Sequence, residues 1–187
     1  MKKALVFMAN GFEEVEALTV VDFLRRAEVR VDICSIYDGK EVEGAHGVKL
    51  TADICLKDVA DPQIYDAVIT PGGLPGATNL RDDERVVSIM KQAFDKPGRW
   101  VASICAAPFV LAAAGIAPEI AGTCYPGCED AVGYKEYRKE PVVVDKNVVT
   151  GMGPALAPAF ALKLVELLAG EEKAKEVGDG LLTQFVK

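Results

Sequence analysis

The chain has 187 residues, 50 % of them apolar and 26 % charged, with a formal net charge of −7. That suits one domain over residues 1–187 with a full hydrophobic core, and it excludes a long disordered or low-complexity segment. The acidic balance and the lack of a basic cluster argue against a nucleic-acid partner, and the apolar run Ala155 to Leu162, broken by Pro158, is far too short to cross a membrane.

In chain order, Lys3 to Met8 reads as the first strand. Met1-Lys2-Lys3 before an apolar run has the start of a signal peptide, but Asn10, Glu13, Glu14 and Glu16 end the apolar region too early. Glu14 to Ala27 is predicted as an amphipathic helix with Val15, Leu18, Val21 and Leu24 on its apolar face; acidic residues in its first turn and Arg25 and Arg26 in its last complement the helix dipole. Val29 to Ser35 is a second strand. Tyr37 to Leu56, with turn signals at Asp38-Gly39 and Gly44, is a hairpin excursion before Ala67 to Thr70 resumes the main sheet. Pro71-Gly72-Gly73 then makes a tight loop, Asp82 or Asp83 caps a helix reaching about Lys96, and Arg99 to Ile104 is a strand ending at Cys105. A helix over Pro108 to Ala114 follows. Ala121 to Cys124 and the pair Val142 to Val144 and Val148 to Thr150, joined at Asp145-Lys146-Asn147, supply further strands, and Pro158 to Leu168 is the final core helix. Strands alternating with helical patterns predict an α/β fold: a mostly parallel sheet sandwiched by helices on both faces.

The five cysteines, Cys34, Cys55, Cys105, Cys124 and Cys128, are odd in number and lack framework spacing, which fits reduced thiols in the cytoplasm. Cys34 and Cys55 lie in apolar strand segments and read as inert core residues. Cys124 and Cys128 flank Tyr125-Pro126-Gly127, but the single histidine, His46, leaves too few ligands for zinc, so no metal is expected. Cys105 differs from the others. An apolar strand stops at it and a small-residue helix begins just beyond, a nucleophile elbow in which unpaired N–H groups at the helix start favour a thiolate. The expectation is a thiol whose pKa falls from about 8.5 towards neutrality.

In an open parallel sheet the loops leaving neighbouring strands converge on one crevice. Here they carry Gly11-Phe12-Glu13-Glu14-Val15-Glu16, Pro71-Gly72-Gly73 and Cys105-Ala106. Glycines allow backbone N–H groups to approach a developing oxyanion, a glutamate can shuttle a proton, and a thiolate can attack a carbonyl. In this order, and with Gly76-Ala77, Asn79-Leu80, Ser103-Ile104-Cys105-Ala106-Ala107-Pro108 and Gly153-Pro154, the motifs resemble the ThiJ/PfpI superfamily, in particular its DJ-one branch, over nearly the whole chain. The resemblance implies a flavodoxin-like, doubly wound fold of the class I glutamine-amidotransferase type and a homodimer. It also implies Cys105 as the reactive cysteine, Glu16 as the carboxyl group bonded to it, and backbone donors at Gly72, Gly73 and Ala106.

The chain departs from the family pattern where a histidine is usual. Ala106 directly follows the cysteine, so a Cys-His-Glu protease triad is not expected. Tyr125, in Thr123-Cys124-Tyr125-Pro126, stands where the animal members carry histidine, and a phenol is a poor base at neutral pH. His46 reads as an interface or surface residue, and Met152 as an altered pocket wall beside Cys124 and Tyr125. The leading expectation is cofactor-independent chemistry on a small carbonyl substrate, of the glyoxalase III or deglycase kind. Cys105 adds to a 2-oxoaldehyde, Glu16 moves the proton, and a 2-hydroxy acid is released. The alternative is an oxidation sensor or chaperone-like protein acting through Cys105, with Cys124 as a candidate resolving thiol. No phosphate loop or nucleotide fingerprint is present in the sequence.

Overall fold

The computed structural model describes residues 1–185; the last two residues of the expected 1–187 domain lie outside them. β1 (Lys3–Met8) leads through α1 (Glu14–Arg26) to β2 (Arg30–Ser35), and a small antiparallel hairpin of β3 (Glu41–Glu43) and β4 (Lys49–Thr51) precedes β5 (Ile54–Cys55). β6 (Ala67–Thr70), α2 (Gly76–Asp82), α3 (Glu84–Phe94), β7 (Trp100–Ile104) and α4 (Pro108–Ala113) follow. Short β8 (Ala121–Gly122), α5 (Glu129–Val132) and β9 (Glu136–Tyr137) lead to β10 (Val142–Asp145), β11 (Val148–Gly151), α6 (Ala157–Ala169) and α7 (Glu171–Gly180).

Seven strands form one sheet in the order β10-β11-β7-β6-β1-β2-β5, parallel throughout except for β10 against β11. Helices cover both faces, which is why β1 is apolar at every position after Lys3 rather than alternating. Ala4, Val6 and Met8 belong to the core shared with Leu24, Phe160 and Leu164, whereas Leu5 and Phe7 join Leu80, Met90 and Leu111. This is the doubly wound α/β sandwich expected from the sequence. The chain leaves β1 towards β2 on one side and later returns to β6 on the other, so the crevice outside the carboxyl ends of β1 and β6 is a topological switch point.

Several elements differ from expectation, each for a physical reason. Helix α1 buries Ala17, Val20, Val21, Phe23 and Leu24, while Val15 and Leu18 are exposed; the buried stripe is rotated from the predicted one because Glu16 also faces inward. Asp83, not Asp82, is the cap of α3 and accepts the Arg85 N–H at 2.9 Å, because Asp82 ends a separate helix, α2, whose short polar sequence hid it. The strand predicted over Ala121 to Cys124 is only two residues long and pairs with β9 outside the main sheet. Pro158 stands in the first turn of α6, as expected, since a proline there forfeits no intrahelical bond. Helix α7 follows it, so Pro158 to Leu168 is not the last helix; α7 buries only Val177 and Gly178 and gives little apolar periodicity to read.

Candidate active site

Strand β7 is central, and its end delivers Cys105 directly into the crevice. Cys105 has φ +63°, a left-handed conformation that costs a non-glycine residue about 1–3 kcal/mol and must be held by its surroundings. Its N–H donates to Gly151 O at 2.9 Å at the end of β11, and its carbonyl accepts the Tyr125 N–H at 2.9 Å. Those two bonds fix the elbow from opposite sides. Below it, Thr70 Oγ1 and Ser103 Oγ lie 2.6 Å apart across β6 and β7, so buried hydroxyls satisfy each other beneath the thiol.

Glu16 comes from the first turn of α1 and is wholly buried. Its Oε2 accepts the Gly72 N–H at 2.8 Å, while Oε1 meets no nitrogen or oxygen partner among the described residues. The carboxyl group faces the Cys105 thiol, close enough for each to shift the other's pKa. Burial raises the Glu16 pKa to about 7, against the downward pull of the neighbouring thiol and of the Gly72 N–H. The approach of β6's loop requires glycine at position 72, where an added Cβ would lie 2.6 Å from Glu16 Oε2 and 2.7 Å from Cys105 Cβ. Gly73 adopts φ +89°, and the Glu13 N–H donates to Gly72 O at 2.9 Å, tying this loop to the start of α1.

The Cys105 thiol is raised, not lowered as the elbow motif suggests. Burial acts first, the adjacent charge of Glu16 next, and the N–H groups of Ala106 and Gly73 only partly offset them. Helix α4 is six residues long and its dipole is weak, whereas the thiol is 8 % exposed. Protonating Glu16 removes the repulsion and turns the same contact into an O–H donor to sulfur. The pair therefore favours a thiolate only when the carboxyl group carries the proton. The Gly72 N–H is engaged by Glu16, so it is not available as the oxyanion donor expected from the sequence. Gly73 and Ala106 remain.

Above Cys105 lies a cavity of about 290 Å³ walled by Glu13, Leu74, Ala106, Tyr125, Cys128 and Pro154. Tyr125 is 49 % exposed, whereas Cys124 is completely buried. Cys124 is thus not a wall of the site; Cys128 takes that place. The sequence carried a signal for this, since Tyr125-Pro126-Gly127-Cys128 has proline and glycine at the central positions of a type II turn. The Cys128 N–H does bond Tyr125 O at 3.0 Å, with Gly127 at φ +94°. Met152 lines an adjoining cavity rather than this one. His46 is on the surface, with Nδ1 2.8 Å from Glu14 Oε2; that bond raises the histidine pKa. Burial alone would raise Glu14, but the His46 ring and the His46 and Val48 N–H groups bring it below the usual value. Among the described residues, one triplet of metal-capable side chains, Glu13, Glu14 and His46, has its donor atoms within 4.8 Å of one another. Cys124 and Cys128 belong to no such group, and no described helix is long and apolar enough to cross a membrane.

A flavodoxin-like α/β sandwich with a strained cysteine at the end of a central strand, facing a buried glutamate, defines a nucleophile-elbow protein of the cysteine type. Residues 2–167 match the DJ-1/PfpI family. The chain is 38 % identical over 186 residues to Protein dj-1beta of Drosophila melanogaster, covering 98 % of both chains. It is 32 % identical over 186 residues to the glutathione-independent glyoxalase DJ-1 of Schizosaccharomyces pombe, covering 95 % of this chain and 96 % of that one. Oxidized Toxoplasma gondii DJ-1 superposes with a TM-score of 0.92 at 35 % identity, over 97 % of this chain and 98 % of that one. The protein belongs to the DJ-1/PfpI family.

Proposed function

We propose that the protein is a cofactor-independent, glyoxalase-like enzyme that converts small 2-oxoaldehydes to 2-hydroxy acids. The observation that carries this reading is the buried Glu16–Cys105 pair beneath an open cavity lined also by Gly73 and Ala106, whose N–H groups pull the thiol pKa down. The S. pombe relative bears the name of this activity. Cys105 thiolate adds to the aldehyde carbon, and protonated Glu16 delivers its proton to the new alkoxide, giving a hemithioacetal. Glu16, now a carboxylate, removes the hydrogen from that carbon to give an enediolate; the proton returns at the neighbouring carbon while the hydroxyl proton passes from the first oxygen to the second, leaving a 2-hydroxy thioester. Water then cleaves the thioester and restores the thiol. Gly73 and Ala106 stabilise the oxyanions. The net reaction adds one water to the substrate and needs no redox partner. Methylglyoxal incubated with the protein without glutathione is expected to yield lactate; no lactate above the protein-free control overturns the reading.

A second reading, sensing of hydroperoxides, is favoured by the presence of Cys128 in the same cavity. The Cys105 thiolate attacks the peroxide O–O bond, forming a sulfenic acid and releasing an alcohol or water. The Cys128 thiol then displaces water to form a disulfide, while a second peroxide equivalent would instead give a sulfinate beside protonated Glu16. Intact mass after graded peroxide reads the outcome: loss of two hydrogens across Cys105 and Cys128 marks the disulfide, two added oxygens at Cys105 mark the sulfinate, and an unmodified Cys105 removes this reading.

A homodimer in the cytoplasm accompanies both readings. Val15 and Leu18 on α1 are exposed, as is Val48, whose N–H reaches Glu14 at the start of that helix, and these are the apolar side chains a second copy would cover. Sedimentation velocity is expected to show a dimer for the native chain and a monomer for Val15→Glu; a native monomer overturns this assignment.

A further inference from the structure

The cavity above Cys105 does not stand alone. A second cavity of about 170 Å³ adjoins it, and Tyr125 and Pro154 are walls of both. The far lobe is completed by Pro126, Met152 and Leu156, the near lobe by Leu74. The Tyr125 ring lies against Gly153, where an added Cβ would be 3.3 Å from Cδ2, so the glycine leaves room for the ring where the two lobes meet. The result is an apolar surface that extends from the thiol past Tyr125 and Pro154 into the second lobe. Among the described residues no lysine, arginine or histidine lines either lobe, and the one acidic side chain is Glu13, beside Cys105.

This groove is poorly matched to a three-carbon aldehyde, whose methyl group would leave the far lobe unused. It is also poorly matched to an anion, which would find no counterion and a carboxylate for a neighbour. We propose, resting on the glyoxalase reading, that the preferred substrates are neutral 2-oxoaldehydes with an aryl substituent. The aldehyde carbon lies at Cys105, and the ring extends along Tyr125 towards Met152 and Leu156. Filling the groove displaces water from apolar walls, and in a hydrophobic pocket even one added methylene changes kcat/KM by about tenfold or more. The contacts of the ring with the groove walls are made equally in ground and transition states and appear in KM, whereas conjugation of the ring with the reacting carbonyl carbon acts on kcat.

The test compares phenylglyoxal, methylglyoxal and 4-carboxyphenylglyoxal without glutathione, following mandelate, lactate and 4-carboxymandelate. Phenylglyoxal is expected to exceed methylglyoxal in kcat/KM by at least about tenfold through a lower KM, and 4-carboxyphenylglyoxal to fall below phenylglyoxal by a similar factor. Met152→Asp, which sets a charge in the far lobe, is expected to reduce the phenylglyoxal-to-methylglyoxal ratio about tenfold. A methylglyoxal value equal to or above that for phenylglyoxal overturns the proposal while leaving the glyoxalase reading intact, as does an unchanged ratio in Met152→Asp. Failure to turn over any of the three aldehydes overturns the glyoxalase reading, and the groove is then read by binding. Acetophenone is expected to protect Cys105 from iodoacetamide at about tenfold lower concentration than acetone, and equal protection by the two ketones overturns the groove assignment.

Discussion

Cys105→Ser is expected to reduce lactate formation from methylglyoxal to the protein-free rate, and Glu16→Gln to lower kcat/KM by about 10²–10⁴, the range for loss of a positioned acid–base group. The two variants part company in every other measurement. With glutamine at position 16 the charge that opposes the thiolate is gone, so Cys105 is expected to react faster with iodoacetamide at pH 8 even as turnover collapses. A variant in which alkylation and turnover fall together would show that Glu16 serves to create the nucleophile rather than to move the substrate's proton. Stability adds a further separation. In the unfolded chain Glu16 titrates near 4.5, and in the folded protein at about 7. Between those values the folded state holds a proton that the unfolded state releases, so stability falls as pH rises through this window. The loss is complete above it and amounts to about 3 kcal/mol. Glutamine does not titrate. The stability advantage of Glu16→Gln over the native chain is therefore expected to grow from pH 4.5 to pH 7 and then level off, which urea denaturation at pH 4.5, 6 and 8 reads directly; an advantage independent of pH would contradict the raised carboxyl group.

A buried acid that costs stability near neutral pH is what the proposed catalytic pair would require. Much of this arrangement was legible in the sequence because it depends on chain order and on glycine. The apolar runs of β1, β6 and β7 predicted neighbouring parallel strands, and the segments after them carried Glu16, Gly72-Gly73 and Cys105 to one edge. What was hidden depends on side-chain direction and burial. The sequence marks the elbow at Cys105 but not the depth of the thiol, and depth decides the direction of its pKa. It places Cys124 and Cys128 equally near Tyr125, yet the turn at Pro126-Gly127 points one into the core and the other into the cavity. Helix α1 misled the apolar reading for a related reason: Glu16 takes a buried position that a periodicity argument reserves for an apolar residue, leaving Val15 and Leu18 outside.

Gly72→Ala is expected to disable the site while leaving both Glu16 and Cys105 in the sequence. Gly72 is not in the left-handed region, so the substitution meets no backbone strain, and its effect is purely one of space. The added methyl would meet Glu16 Oε2 at 2.6 Å, Cys105 Cβ at 2.7 Å and Ile104 O at 3.0 Å. None of these can swing into solvent, because Glu16 and Ile104 are fully buried and Cys105 nearly so. The loop after β6 must move back, costing about 1–3 kcal/mol for overpacking. As it moves it stretches the Gly72 N–H bond to Glu16, and a buried carboxyl oxygen left without that donor costs about 1–3 kcal/mol more. The expected outcome is a loss of about 2–6 kcal/mol in urea denaturation and a fall in kcat/KM comparable to that of Glu16→Gln. Gly39→Ala supplies the control, since an added Cβ there meets nothing within 4 Å and the variant should be neutral in both measurements. If Gly72→Ala kept native activity, the contact between Glu16 and Cys105 would not depend on the β6 loop, and the loop's only part in the chemistry would be the Gly73 N–H.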